Sequence, residues 1–294
     1  MPVWELSWQL AAILAAGLFC VAGFARLLRA PRLTAAAPLA GEAGLVVALY
    51  ALWQYAGSFS VMGTGDAIGR AQWIWNIERA WHLPSEAILQ KLALPYPLIV
   101  EAFNIYYATM HFTALVIFLV WLYARHRAQY QRIRAILVIF TAASLLMQLV
   151  PVAPPRMLAG IGLVDTAQIY GQSVYAIGGG MADQFSAMPS VHMGWALLIA
   201  FAVWRVTASR GRWVAVAHAV LTWVVVVVTA NHFWLDGLVA AGLLVVALVV
   251  AAAGSAAAAA VRSQAAALHP DLAPAETSAD KMSASADVRS MRVR

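Results

Sequence analysis

Two histidines and an aspartate stand at spacings that could do chemistry. His232 and Asp236 are four residues apart, so on a helix the carboxylate sits one turn from the imidazole on the same face. A carboxylate there can hold the ring in one tautomer and favour its charged form, which prepares a histidine for nucleophilic work. Forty residues before His232 stands His192, inside "MPSVHMGW". Pro189 suits the first turn of a helix, and Ser186 or Ser190 can cap it. The N–H groups and positive dipole end of that helix would then face an anion. Arg156, in "PVAPPRML", adds a fork of donors that matches phosphate oxygens. These groups together could grip a phosphate.

The elements that must bring them together are membrane spans. The chain has 294 residues, 63% of them hydrophobic and only 11% charged. Soluble domains are about 45–50% apolar and about 25% charged, so the composition is that of an integral membrane protein. The predicted fold class is all-α, a polytopic membrane bundle of six or seven spans. Apolar runs fall at about 8–28, 45–62, 98–123, 133–150, 188–206, 214–229 and 233–253. Two crossings of a core about 30 Å thick, at about 1.5 Å per residue, take about 40 residues. His232 therefore returns to the face that holds His192, and Arg156 follows a span ending on that face. The net charge of +6 comes from short basic clusters between spans, not from a nucleic-acid surface. Arg26, Arg29, Arg32, Arg125, Arg127, Arg132, Arg134, Arg205, Arg210 and Arg212 all fall on one side, which should be cytoplasmic. The site is then extracytoplasmic, with the plasma (inner) membrane as the expected location. The lone Cys20 lies inside the first run and can form no intrachain disulfide. The start, "MPVWELSWQL", lacks a basic leader, so the first run reads as a retained span.

Between the spans, residues 66–94 alternate apolar and charged positions with helical spacing. Ala67, Ile74, Ile77 and Trp81 can share one face, predicting an amphipathic helix on the outer interface, broken at Pro84. The loop from 156 to 187 is long for a simple connection and holds a glycine run at 178–180. Beyond about Gly254 the alanine- and serine-rich tail reads as disordered. The expected organisation is N-terminal spans over 1–62, an interfacial segment over 63–97, a catalytic bundle over 98–253 and a cytoplasmic tail over 254–294.

"PSVH", followed forty residues later by "HFWLD", resembles the second and third signatures of the type 2 phosphatidic acid phosphatase superfamily, PSxH and SR-x5-H-x3-D. The set "PVAPPRM", "MPSVHMGW" and "TANHFWLDG" looks most like its inositolphosphorylceramide-synthase-like branch, over roughly 102–242. The resemblance implies that His232 is a nucleophile forming a phosphohistidine, that Asp236 orients it, that His192 protonates the leaving alkoxide and that Arg156 binds the phosphoryl group. It implies a lipid phosphate substrate, with no metal and no cofactor. The superfamily's first signature is K-x6-RP. Here Leu149 stands in place of its lysine and Met157 in place of its proline, and Val226 replaces the arginine of the third signature. Arg79, His82 and Asn231 are the candidate replacements for the missing cations.

A second polar stripe, "EAFNIYYATMHF", puts Glu101, Asn104, Tyr107 and His111 on one face of the third span. Ionisable groups in a span usually face a cavity, so these residues, with Ser190, are candidates for contact with acceptor or head group. The same stripe could serve only as packing glue between helices. His218 has no such company and reads as structural. Taken singly, His192 or His232 is an ordinary interfacial polar residue; the joint pattern with Arg156 and Asp236 points to a site. The expected activity is phosphoryl transfer on lipid phosphates, with an inositol-phosphate type head-group transfer as the leading form and a phosphate or pyrophosphate phosphatase as the alternative. Facing histidines in a bundle could also ligate haem, and a polar stripe could line a transport path. A zinc hydrolase would need a tighter ligand cluster than H-x3-D supplies.

Overall fold

The computed structural model describes residues 7–28, 31–57, 65–170 and 184–268. Among them the chain is helical and contains no strand. Helix α1 (Trp8–Leu27) starts on Ser7, whose hydroxyl accepts the Leu10 N–H. It buries Ala11, Ala15, Ala22 and Ala25, a stripe of small side chains that lets α2 (Pro31–Gly57) lie close along it. The sequence predicts a second span over 45–62. The helix instead begins at Pro31, a residue suited to a first turn, and runs through Pro38 to Gly57, while residues 58–62 of the expected span lie outside the described residues.

A pair of short helices follows, α3 (Ala67–Ala80) and α4 (Glu86–Ala93), separated by a turn that contains Pro84. The helical reading of 66–94 and its break hold, but the buried face differs from the expected one. It is Ala67, Ala71, Ile74 and Glu78, whereas Trp81 lies beyond the helix end and is 63% exposed. An ionisable side chain takes the place assigned to an apolar one because its partner comes from the far end of the chain.

The bundle is built from α5 (Pro97–Arg125), α6 (Arg127–Gln148), α8 (Val191–Val206), α9 (Arg212–Val228) and α10 (Trp234–Leu268), with the one-turn α7 (Thr166–Ile169) in the loop between α6 and α8. Among the described residues, four helices are long and apolar enough to cross a bilayer: Trp8–Leu27, Pro97–Arg125, Arg127–Gln148 and Trp234–Val261. Ala36–Leu52, Val191–Val206 and Arg212–Val228 are shorter apolar helices. The result is an all-α membrane bundle. Leu98, Ile105, Val116, Ile117 and Val120 of α5 point outward, as lipid-facing residues should. Arg125, Arg127, Arg205 and Arg212 sit at the helix ends opposite the segments that carry the sequence motifs. An ion pair between Arg134 and Glu42 ties α6 to α2 near that basic end.

The chain divides into a compact unit reaching Leu248 and a second unit from Val249. In the second unit the helix continues through Leu268, past the expected end of order near Gly254. A run of alanines has the highest helix propensity, and nothing in it interrupts the backbone bonds. The rest of the predicted tail lies outside the described residues, as does the glycine run at 178–180.

Candidate active site

The site forms where the three motif segments are laced together by main-chain hydrogen bonds. Val152 N–H donates to Phe185 at 2.7 Å, and Ala187 N–H returns to Val152 at 3.2 Å. Ala153 N–H donates to the Ala67 carbonyl and Arg156 N–H to that of Ala230, both at 3.1 Å. Ser190 N–H reaches the Asp236 carbonyl at 3.2 Å. Arg70 adds a side-chain clamp, its Nε donating to the Pro151 carbonyl at 2.6 Å. Val152, Ala153, Leu158, Ala187 and Phe233 fill the space beneath α3 with an apolar cluster. Backbone that is neither helix nor sheet is thus satisfied and buried, a requirement wherever a loop enters a membrane protein.

His232 follows a tight reversal at the end of α9. Ala230 takes a left-handed conformation, φ 54°, and the Asn231 and His232 N–H groups both return to the Val226 carbonyl at 3.1 Å. The residue in place of the signature arginine therefore acts through its backbone, with its side chain buried. The His232 ring is buried, and its Nδ1 lies 2.8 Å from the Ala187 carbonyl and 3.3 Å from Asp236 Oδ2. A carbonyl can only accept, so Nδ1 carries the proton, and in the neutral ring Nε2 keeps the lone pair. That Nε2 is buried and has no hydrogen-bond partner among the described residues. Asp236 Oδ2 also accepts the Phe233 N–H at 2.8 Å, so the same carboxylate orients the ring and caps the start of α10.

His192 stands one position into α8. Its ring centre is 5.7 Å from that of His232, and its Nε2 is likewise buried without a partner among the described residues. Tyr107 stacks on it, 4.4 Å between centres at 14°, and His111 packs against it at 4.2 Å. Ser190 is the helix cap: its Oγ accepts the Met193 N–H at 3.3 Å and is buried. Its hydroxyl is turned to its own helix. Ser186, the other predicted cap, instead sits in the main-chain bridge with Val152.

Arg156 occupies a single turn of 3-10 helix, Pro155–Met157. Its Nη1 donates to Asn231 Oδ1, beside His232, and its Nε pairs with Asp165 Oδ2 at 3.1 Å. Asn231 in turn donates to Thr229 Oγ1 at 2.8 Å. Asp165 carried no motif signal; nothing in the local pattern announces that it returns from the loop to the arginine. Asn104 accepts a bond from Thr166 Oγ1 at 2.9 Å and so fastens that loop to α5. Among the described residues, the rings of α5 that meet the two histidines are Tyr107 and His111. Glu101 lies half-buried on a turn nearer the start of that helix.

Arg79 and His82 do not join Arg156, His192 and His232. Arg79 pairs with Glu86 at 3.0 Å and donates to the Pro84 carbonyl at 3.3 Å, while its guanidinium lies over Trp75. His82 is exposed in the turn after α3, with φ 55°. Carboxylates closer in space than in sequence draw the arginine away.

Below the rings lies a cavity of about 10 Å³ lined by Tyr106, Tyr107, His111, His192, His218 and Thr222, among others. It has room for about one water molecule. His218, expected to be structural, sits in a small network there: the Tyr106 hydroxyl is 2.6 Å from its Nδ1 and 3.0 Å from Thr222 Oγ1. Among the described residues no group of three or more His, Cys, Asp or Glu side chains could hold a metal ion.

A family profile described as the PAP2 superfamily matches residues 72–252, a stretch that takes in every group above from Glu78 to Asp236. Comparison with curated proteins and with solved structures gave no match.

Proposed function

The chain belongs to the PAP2 superfamily, and from that premise we propose that it is a lipid phosphotransferase working through a phosphohistidine on His232. Membership makes it a membrane enzyme of the lipid phosphatase or phosphotransferase type. The observation that carries the finer reading is the fixed tautomer of His232, whose proton is held on Nδ1 by the Ala187 carbonyl and Asp236. Its Nε2 lone pair attacks phosphorus, the bond from phosphorus to the leaving oxygen breaks, and His192, which takes up a proton with the phosphate beside it, gives that proton to the leaving oxygen. In the second step His192 takes the proton of the acceptor hydroxyl, the acceptor oxygen attacks phosphorus, and the P–N bond breaks to free His232. Arg156 and the start of α8 stabilise the charge on the phosphoryl oxygens.

With a polyol as acceptor the reaction is head-group transfer of the inositol-phosphate type, which the likeness of the motif set favours. With water as acceptor it is hydrolysis of a lipid phosphate or pyrophosphate, which the water-sized cavity beside His192 favours. Tyr107 and His111 are the groups of α5 best set to touch the acceptor. The basic helix ends support a cytoplasmic position for that side and an extracytoplasmic site in the plasma (inner) membrane.

The test is a lipid-phosphate panel on purified protein, with and without alcohol acceptors and with chelator present. Wild type should turn over without added metal. The His232→Ala variant should lose activity by about a thousandfold or more. Full turnover by that variant would end the phosphohistidine reading. Product formed only when a polyol is added would select transfer; free phosphate without it would select hydrolysis.

A further inference from the structure

Outside the groups that touch phosphate, one buried ionisable cluster remains: Glu78 on α3, Glu86 on α4 and the arginine between them. Both glutamates are 0% exposed. Glu78 Oε1 accepts the Leu235 N–H at 2.8 Å, on the first turn of α10. That turn therefore has two carboxylates on it, because Asp236 already accepts the Phe233 N–H. The first amides of a helix lack internal partners, and an oxygen supplied from elsewhere fixes where the helix begins. The turn between α3 and α4 is fastened to the same place, with Trp234 Nε1 donating to the Pro84 carbonyl at 2.8 Å.

The second oxygens of the two glutamates reveal how the cluster is held. Glu78 Oε2 and Glu86 Oε1 are both buried with no hydrogen-bond partner among the described residues, and both carboxylates lie against Arg79 Nη2. One proton between them satisfies both oxygens; two bare carboxylates in that space would repel. Arg79 lies 3.0 Å from Glu86 and 3.7 Å from Glu78, so the proton belongs to Glu78.

We propose that Glu78, through this shared-proton pair with Glu86, is a positioning residue for the reaction: it sets the first turn of α10 and with it the line of attack of His232. The proposal rests on the reading of His232 as nucleophile. It assigns the two short helices a task beyond covering the bundle. Burial, first, and then the bond to and charge of Glu86 push the Glu78 carboxyl up to about 9. The charged groups around it are Arg79 on its own helix, Glu86 on α4 and Asp236 on α10. Loss of the proton sets a third negative charge beside Glu86 and Asp236 and opens the clamp.

The experiment compares wild type, Glu78→Gln, Glu78→Ala and His232→Ala in the full chain, measuring kcat and KM on a lipid phosphate from pH 5 to 10. The amide of Glu78→Gln can accept from Leu235 and donate to Glu86 without titrating. It should keep kcat within about threefold of wild type near neutrality. It should also lose the fall in kcat expected of wild type near pH 9. Glu78→Ala should lower kcat by about tenfold to a hundredfold with little change in KM, since misplacement of the nucleophile acts on the chemical step. Wild-type kcat in Glu78→Ala, or the same alkaline fall in Glu78→Gln as in wild type, would overturn the proposal. If the alanine variant does not fold, the alkaline limb of the glutamine variant decides. An active His232→Ala protein would remove the nucleophile itself, an outcome separable from normal Glu78 variants beside an inactive His232→Ala.

Discussion

Asp236 shares its hold on His232 with a main-chain oxygen, and that division has a measurable result. The Ala187 carbonyl is nearer to Nδ1, at 2.8 Å, than Asp236 is at 3.3 Å. In Asp236→Asn the carbonyl still demands the proton on Nδ1, so the tautomer survives while the charge facing the ring is lost. Activity on the panel substrate should fall by about tenfold to a hundredfold, well short of the His232→Ala loss. An Asp236→Asn variant as inactive as His232→Ala would place the whole burden on the carboxylate. The spacing of His232, Asp236 and His192 was legible in the sequence because helical geometry and span length act locally and predictably. The Ala187 carbonyl and Asp165 were not, because a main-chain acceptor leaves no mark on residue type and a loop acid can pair with anything. Arg79, a candidate for the cradle, pairs with Glu86 for a related reason: a cation close to a motif is drawn to whichever carboxylate the fold brings nearest.

At the scale of elements, close crossings place α8. A Cβ on Gly194 would come within 1.9 Å of Phe140 Cζ, a ring tip buried in α6. One on Gly237 would meet Met193 Sδ at 2.3 Å, the end of a flexible side chain that can move aside. Gly194→Ala should therefore lower stability by about 1–3 kcal/mol and reduce the melting temperature of the purified protein, with Gly237→Ala costing less. Equal melting temperatures would show that the Phe140 contact yields freely. Gln90 is a second fastening point. Its amide donates to Val164 and Val228 carbonyls, both at 3.0 Å, and its oxygen accepts the Val164 N–H at 2.8 Å. Gln90→Leu leaves these buried groups unmatched and should destabilise by about 1–3 kcal/mol for the set, read by the same melting curve. The spans were legible because lipid demands long apolar helices. The face of α3 was not, since Glu78 is buried by a partner in α10 that no local periodicity can reveal.

Across the whole molecule, the Glu78 proton couples folding to pH. The folded chain holds that proton up to about pH 9, whereas an exposed glutamate releases it near 4.5. Between those values the folded state binds a proton that the unfolded state does not, so stability falls as pH rises. The contribution is whole below pH 4.5 and gone above about 9. Melting temperatures should decline across this window in wild type and decline less in Glu78→Gln; parallel curves would assign the effect elsewhere.

The site draws on stretches from α3 to the start of α10, and residues 228–236 tie α3, α4, the α3–α4 turn and the Arg156 segment together. Without residues 228–236 the chain still holds the two facing acids, His111 and His192, and an arginine segment tied to Ala67, Phe185 and Asp165. Those nine residues supply His232 and the amide that Glu78 accepts.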